Sequence, residues 1–428
     1  MTKDITAIKN KTEISQGYKR GKYGIVPVDW KNFKVSEVFS RVRNPVDVQM
    51  DEIYKEIGIR SHGKGIFYKK TVRGQELGNK SVFWIEPNCF IVNIVFAWEM
   101  AVAKTTHHEK GLIASHRFPM FKPKSDVLSL DFITYLFKSP LGKHLLNIAS
   151  PGGAGRNKTL GQKAFGDLDI VIPQNVKEQE KIARVITTWN KAIGLKEKLI
   201  EQKEEQKKGL MQKLLTGSVR LPGFEDEWTK VKLADIGKTF NGLSGKSAKD
   251  FGKGKPFIPY KTIFDNSKID LKKVDYVIVE KKEKQNIVQY GDVFFTTSSE
   301  TANEVAMSSV LLDDEVDEVY LNSFCFGYRL YNFDLLIPEF AEYLFRGNDF
   351  RRRTYNLAQG STRFNISKNE VMQITVRIPS IDEQSAIAKT LTNVDKEISL
   401  LNKEVTELNQ QKKGLTQLLL TGKVRVKV

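Results

Sequence analysis

Residues 178–220 read EQEKIARVITTWNKAIGLKEKLIEQKEEQKKGLMQKLLTGSVR, and residues 383–425 read EQSAIAKTLTNVDKEISLLNKEVTELNQQKKGLTQLLLTGKVR. The second stretch repeats the first at a constant offset of 205 (383 against 178). Glu178-Gln179 returns as Glu383-Gln384, and Ile182-Ala183 as Ile387-Ala388. Lys207-Lys208-Gly209-Leu210 returns as Lys412-Lys413-Gly414-Leu415, and Leu214-Leu215-Thr216-Gly217 as Leu419-Leu420-Thr421-Gly422, with Val219-Arg220 against Val424-Arg425. A period this long exceeds a solenoid unit and marks a duplicated module.

The apolar residues of the second copy are Ile387, Leu391, Val394, Ile398, Leu401, Val405, Leu408, Leu415 and Leu419, with Lys412 in the frame between Leu408 and Leu415. The steps alternate four and three, the 3.5-residue period of a helix supercoiled on another helix. The first copy keeps the frame with Ile182, Ile186, Trp189, Ile193, Ile200, Leu210 and Leu214, but Lys196, Lys203 and Lys207 interrupt it. A lysine can lay its stem along such a seam and keep its ammonium wet. The simplest partner for each helix is the other one. Two unrelated amphipathic core helices would not need matched frames and matched ends. A helix from Ile182 to Leu214 spans about 50 Å at about 1.5 Å per residue. Gly209 and Gly414 lie inside the pattern and suggest a close helix approach or a bend, while Gly217 and Gly422 stand where a helix stop is expected.

The chain has 428 residues, enough for two or three domains, and is 40% hydrophobic. Its formal charge is +17 and its pI about 9.5. Such a balance favours a polyanion as partner, nucleic acid before an anionic membrane. No apolar run reaches transmembrane length and no signal-peptide core opens the chain, so a cytoplasmic location is expected. Cys89 and Cys325 sit among aromatic residues and read as buried strand thiols, without metal or disulfide spacing.

The globular parts repeat more loosely. Residues 29–38, opening Asp29-Trp30, have a counterpart in 227–236, opening Glu227-Trp228. Each module closes on an alternating strand that ends in proline: Leu168, Ile170, Ile172 and Pro173, then Ile374, Val376, Ile378 and Pro379. Short amphipathic helices are expected at 132–137 and 340–345, each ahead of a glycine-bearing basic loop (152–158 and 359–365). The resulting division is a flexible basic arm over 1–22, a first module over 23–175, a long helix over 176–218, a second module over 219–380 and a second long helix over 381–428. Short connections join the second module to the end of one helix and the start of the other, which favours antiparallel packing. The expected fold is α+β: two mixed α/β domains separated by two long helices packed as an antiparallel coiled coil, with a pseudo-twofold internal repeat.

Catalysis finds little support. All five histidines lie in the first module, so the second cannot repeat any histidine chemistry. Gly242-Leu243-Ser244-Gly245-Lys246-Ser247 resembles the end of a phosphate loop, but Phe240 stands where the motif needs glycine. No nucleophile elbow, zinc spacing or dinucleotide fingerprint occurs. DNA reading instead predicts basic, amide and hydroxyl side chains on loops, since Arg and Lys suit guanine and phosphate, and Asn and Gln suit adenine. Candidates in the first module are Arg60, His62, Lys64, Lys104, His116, Arg117, Arg156, Asn157 and Lys158. In the second they are Asn241, Lys246, Lys261, Ser298, Ser299, Thr301, Arg363 and Asn365, beside the charge run Arg351-Arg352-Arg353. Any one of these can equally be a solvated side chain; the set on glycine-rich loops carries the argument.

Together, the Trp30 and Trp228 openings, the Pro173/Glu178–Ala183 and Pro379/Glu383–Ala388 junctions, and the two Lys-Lys-Gly-Leu and Leu-Leu-Thr-Gly helix ends resemble the specificity subunit of type I restriction–modification systems. The resemblance covers everything after the N-terminal arm. It implies a non-catalytic DNA-recognition subunit whose modules are target-recognition domains, each reading half of a split, asymmetric site. The helix pair would set the unspecified spacer and dock the methyltransferase subunits, two in number; a restriction subunit (motor and nuclease) would join them. S-adenosylmethionine, ATP and Mg2+ would belong to those partners, with no cofactor or metal on this chain. Half-sites on one face of B-DNA lie roughly 34 Å apart or a multiple, within reach of such a ruler. Two alternatives stay open: a subunit of a methylation-only or fused-nuclease system, and a coiled-coil DNA scaffold without sequence preference. Whether the seam lysines face the other helix, a methyltransferase subunit or water is also open.

Overall fold

The computed structural model describes residues 14–152 and 158–428. It divides into two compact units: residues up to Leu195 together with Val405–Val428, and Lys196–Glu404.

In the first unit the strands are β1 (Tyr18–Gly21), β2 (Gly24–Pro27), β3 (Trp30–Lys34), β4 (Phe39–Val42), β5 (Ile53–Arg60), β6 (Gly65–Arg73), β7 (Val82–Trp84), β8 (Phe90–Val92), β9 (Val102–Lys104), β10 (Ile113–Ser115), β11 (Met120–Pro123) and β12 (Asp169–Pro173). They form one sheet ordered β6-β5-β10-β7, another ordered β4-β11-β8-β9, and the pairs β1-β2 and β3-β12. The β3-β12 ladder joins the opening of the module to its close, from Trp30 opposite Pro173 to Lys34 opposite Asp169. The alternation at Ile170 and Ile172 is what buries one face of β12. Phe90, Phe121, Phe137 and Phe165 fill the core, with ring centroids 5.1–6.2 Å apart.

The second unit carries β13 (Thr229–Lys232), β14 (Gly237–Asn241), β15 (Phe251–Ile258), β16 (Asp275–Val277), β17 (Val293–Thr296), β18 (Ser298–Ser299), β19 (Ser308–Val310), β20 (Tyr320–Leu321), β21 (Cys325–Leu330), β22 (Phe364–Asn365) and β23 (Thr375–Ile378). The plan repeats: β13 pairs with β23 as β3 does with β12, and the sheet β14-β21-β17-β19 matches β4-β11-β8-β9. Phe295, Phe326, Phe345 and Phe350 occupy its core. Both cysteines are buried, and burial pushes the Cys89 thiol up to about 11.

The long helices run Val176–Leu214 and Ile381–Leu420. In the first unit Leu415, Leu419 and Leu420 share a cluster with Ile182 and Ile186. In the second, Leu210 and Leu214 share one with Ile387 and Leu391. The order along the two helices is opposite in each unit, so each packs them antiparallel. Every apolar residue of the expected seam is buried or half-buried: Trp189, Ile193, Ile200, Val394, Ile398, Leu401, Val405 and Leu408 as well as those named above. The seam lysines face the other helix. Lys196 pairs with Glu404 at 2.5 Å, Lys203 with Glu397 at 2.9 Å and Lys207 with Asp395 at 2.6 Å.

The repeated junction motif has a repeated structure. Gln179 and Gln384 are fully buried. Gln179 accepts from the Ser129 amide and donates to the Val127 and Pro173 carbonyls, each at 2.9 Å. Gln384 accepts from the Ile337 amide at 3.0 Å and donates to Leu335 and Pro379 at 2.7 and 2.9 Å. One amide side chain thus ties the last strand of the module, the start of its short helix (Leu130–Phe137 or Pro338–Leu344) and the long helix. At the other end of the motif Gly217 and Gly422 have φ of +70° and +72°, and a Cβ there would lie 3.2 Å from the Trp228 ring and 3.1 Å from Trp30.

Two expectations are corrected. A Cβ on Gly209 or Gly414 would meet nothing within 4 Å, so no close helix approach requires them. Of the arm expected over 1–22, residues 18–22 are built into the first unit. Residues 18–21 form β1, the Tyr18 hydroxyl donates to the Gly422 carbonyl, and Lys22 pairs with Asp169. Pairing with β2 through the turn at Gly21–Gly24 satisfies the backbone that a free arm would leave to water.

Candidate nucleic-acid interface

The same three segments meet in each unit. Beyond β8, the Ile94 amide donates to the Arg117 carbonyl at 3.0 Å, and the Leu160 amide donates to the Ile94 carbonyl at 2.8 Å. Beyond β17, the Thr297 amide donates to the Phe324 carbonyl at 3.0 Å, and the Ile366 amide donates to the Thr297 carbonyl at 3.0 Å. The exit of an inner strand, the turn leading into the next strand of the sheet and a residue just beyond the glycine-bearing basic loop are therefore joined in the same way in both units. The side chains hung on it differ between the units.

In the second unit β18 pairs with β22, which sets Ser298 opposite Asn365 and Ser299 opposite Phe364. Arg363 is exposed yet held: a guanidinium nitrogen donates to Ser298 Oγ at 3.1 Å, and its carbon lies 5.7 Å from the Phe324 ring centroid. Gly360 has φ of +130°, and a Cβ there would strike the Arg363 carbonyl, so the loop's closure requires glycine. Asn241, at the end of β14, accepts from Lys368 through its side-chain oxygen, and its backbone carbonyl accepts from Asn286 Nδ2. Lys261 is exposed. Ser298 and Ser299 are buried, so they support this surface rather than present it. Thr301 and Ser299 both donate to Glu304.

Two basic features of this unit are structural. Lys246 pairs with Glu283 and its side chain is only 5% exposed, which removes it from the accessible cations. A Cβ on Gly242 would strike the Asn322 carbonyl, so that loop is shaped by backbone contact rather than by a phosphate. In the arginine run, Arg351 donates to the Asn303, Val305 and Ala306 carbonyls and Arg353 pairs with Asp349. Burial pushes the Arg351 guanidinium down to about 10.

In the first unit, His62 (φ 59°) and Gly63 donate their amides to the Glu99 and Met100 carbonyls, and Ser61 donates to the Glu99 carboxylate. That packs the turn bearing His62 and Lys64 against residues 97–100; Arg60 lies over the Phe67 ring at 5.4 Å. Lys158 donates to Asn147 at 2.9 Å and lies 5.6 Å from the Trp98 ring centroid, and Trp98 Nε1 donates to the Val95 carbonyl. Lys158 therefore joins the junction region. His116 and Arg117 are exposed on the turn itself. Lys104 stands apart, paired with Asp131. Arg156 and Asn157 lie outside the described residues.

Sequence reasoning missed Arg41, Arg43, Phe324 and Lys368. Register locates the first two: Val42 pairs with Met120 as Phe240 pairs with Gly327, so Arg43 occupies the place of Asn241. The signal was present as two arginines two residues apart at a strand end. Among the described residues no cluster of His, Cys, Asp and Glu could hold a metal ion, and no helix is long and apolar enough to cross a membrane.

Comparison with known proteins agrees with this architecture. The profile of the type I restriction modification DNA specificity domain matches residues 27–205 and again 225–410. The chain belongs to that family and carries its domain twice. The type I restriction enzyme MjaVIII specificity subunit of Methanocaldococcus jannaschii is 24% identical over 428 residues, covering 94% of each chain. The putative MjaX specificity subunit of the same organism is 23% identical, covering 96% of this chain and 97% of its own. Among solved structures, the HsdS subunit of Thermoanaerobacter tengcongensis superposes with a TM-score of 0.56 at 16% identity, over 94% of this chain and 99% of that one. A chain from a structural study of type I R-M complex assembly and conformational transition reaches 0.60 at 16% identity, over 93% and 99%. The protein is a specificity subunit of a type I restriction–modification system, with two tandem target-recognition domains.

Proposed function

We propose that each target-recognition domain reads one half of a bipartite, asymmetric duplex DNA site. The domains are residues 23–175 and 219–380; the helical segments 176–218 and 381–428 set the spacer and dock methyltransferase subunits, two of them, with restriction subunits joining that complex. The chain is itself non-catalytic and works in the cytoplasm; S-adenosylmethionine, ATP and Mg2+ act on its partners. The observation that carries this reading is the three-segment junction built twice with different side chains. A shared scaffold with unlike groups is what reading two unlike half-sites demands, because base edges are told apart by donor and acceptor pattern. The surface around His116, Arg117 and Lys158 serves one half-site, and that around Asn241, Lys261, Arg363 and Asn365 the other. The net charge of +17 supports the phosphate contacts that any such reader needs.

The test is a map of modified bases in the native host with and without this gene. One two-part motif with a fixed spacer should lose its methylation on deletion. Identical maps from a strain in which the system is expressed would refute the reading.

A further inference from the structure

We propose that Arg41 and Arg43, with His116 beside them, form a cleft in the first recognition domain that takes the major-groove edge of a guanine. This deepens the reading of that domain as a DNA half-site reader and rests on it. The two arginines line one cavity of about 250 Å3 together with Phe83, His116 and Phe118. Arg41 lies in β4 and Arg43 directly follows its last residue, Val42, which packs against the neighbouring apolar cluster.

The cleft is held from several directions. The Arg43 guanidinium lies 5.7 Å from the Phe83 ring centroid. Phe83 is fixed in turn, because Pro45 bridges to it and the Trp84 amide donates to the Asn44 carbonyl at 2.8 Å. The His116 amide donates to the Ser81 carbonyl at 3.0 Å, and the Arg117 carbonyl is the junction acceptor. Neither Arg41 nor Arg43 pairs with a carboxylate among the described residues. Burial, and then the neighbouring Arg43, lower the Arg41 value below its ordinary one. Both arginines are solvent-exposed, so their guanidinium groups are open to a partner, and the partner that suits them best is one rich in acceptors.

Guanine presents O6 and N7 side by side as acceptors, which a guanidinium fork matches, whereas adenine sets a donor beside N7. Asn241 holds the same register in the second domain, and asparagine suits adenine. The position thus carries a different side chain in each domain.

The experiment is a methylation map in the gene-deleted host complemented with the wild-type chain, Arg43→Ala or Arg43→Gln. The half-site of the first domain is the half that changes when residues 23–175 are exchanged for those of a relative. Arg43→Ala should make one guanine of that half degenerate, with a roughly ten- to hundred-fold loss of discrimination there, and leave the other half intact. The intact half reports that the variant is folded. An unchanged motif, or a uniform fall in methylation across all positions as a phosphate contact would give, overturns the assignment while leaving the half-site reading standing. If wild-type complementation restores no motif, that reading fails first.

Discussion

Arg425 reaches back across 247 residues to grip Glu178, with its Nε 2.8 Å and an Nη nitrogen 2.9 Å from the two carboxylate oxygens. Arg220 makes the same two-point contact with Glu383 at 2.6 Å each. Both carboxylates are buried, at 3% and 1% exposure. An arginine a few residues beyond the end of each long helix is thus returned to a glutamate in the first turn of the other, and each module is closed by the helix that did not grow from it.

Losing the arginine strands a buried carboxylate. A fully buried pair costs about 3–5 kcal/mol to break in this way, and Arg425 is partly exposed, so Arg425→Ala should destabilise by about 2 kcal/mol. Chemical denaturation measures it. Replacing both partners, Arg425→Met with Glu178→Leu, should recover most of the loss; no recovery would mean the pair matters for something other than charge burial.

Gln384→Ala should cost more. It leaves the Ile337 amide and the Leu335 and Pro379 carbonyls without their partner in a buried place, about 3 kcal/mol in total. Gln179→Ala should behave alike. A change below about 1 kcal/mol in both variants would contradict the role given to the junction motif.

Lys203→Leu should stabilise. The lysine occupies a seam position, its partner Glu397 is 49% exposed, and an exposed pair is worth little. A leucine there adds apolar burial, so a gain of about 1 kcal/mol is expected by thermal or chemical unfolding. A loss would show that the pairing itself holds the helices in register.

Asp169 sets an acid limit. Hydrogen bonds from Lys22, then Lys34 and Asn32, hold its carboxyl well below the ordinary 3.8. A depressed folded value means stability that is present above about pH 4 and is lost as pH falls toward the folded value. Asp169→Asn should therefore flatten the fall in melting temperature below about pH 4. An unchanged acid limb in the variant would assign acid unfolding to other groups.

The repeat was legible because its period and frame are local properties of the chain. The seam from Ile182 to Leu214 and from Ile387 to Leu419 lies buried or half-buried throughout. The closing strands were legible from alternation ending in proline. What the sequence hid is pairing across distance. Nothing near Lys246 announces Glu283, nothing near Arg351 announces three carbonyls of residues 303–306, and nothing near Arg43 says that strand register sets it where Asn241 stands. Basic residues on loops look alike until their partners are known. The seam lysines show the converse: read alone they interrupt a pattern, and their acids on the other helix restore it.

The most direct test of the account is a base-modification map of a host whose chain carries residues 219–380 exchanged for those of a relative with a different target. The account predicts that one half of the methylated motif changes to the relative's sequence, while the other half and the spacer length stay as they were. A motif that changes in both halves, or in neither while the exchanged chain still directs methylation, would contradict the division of recognition between two independent domains.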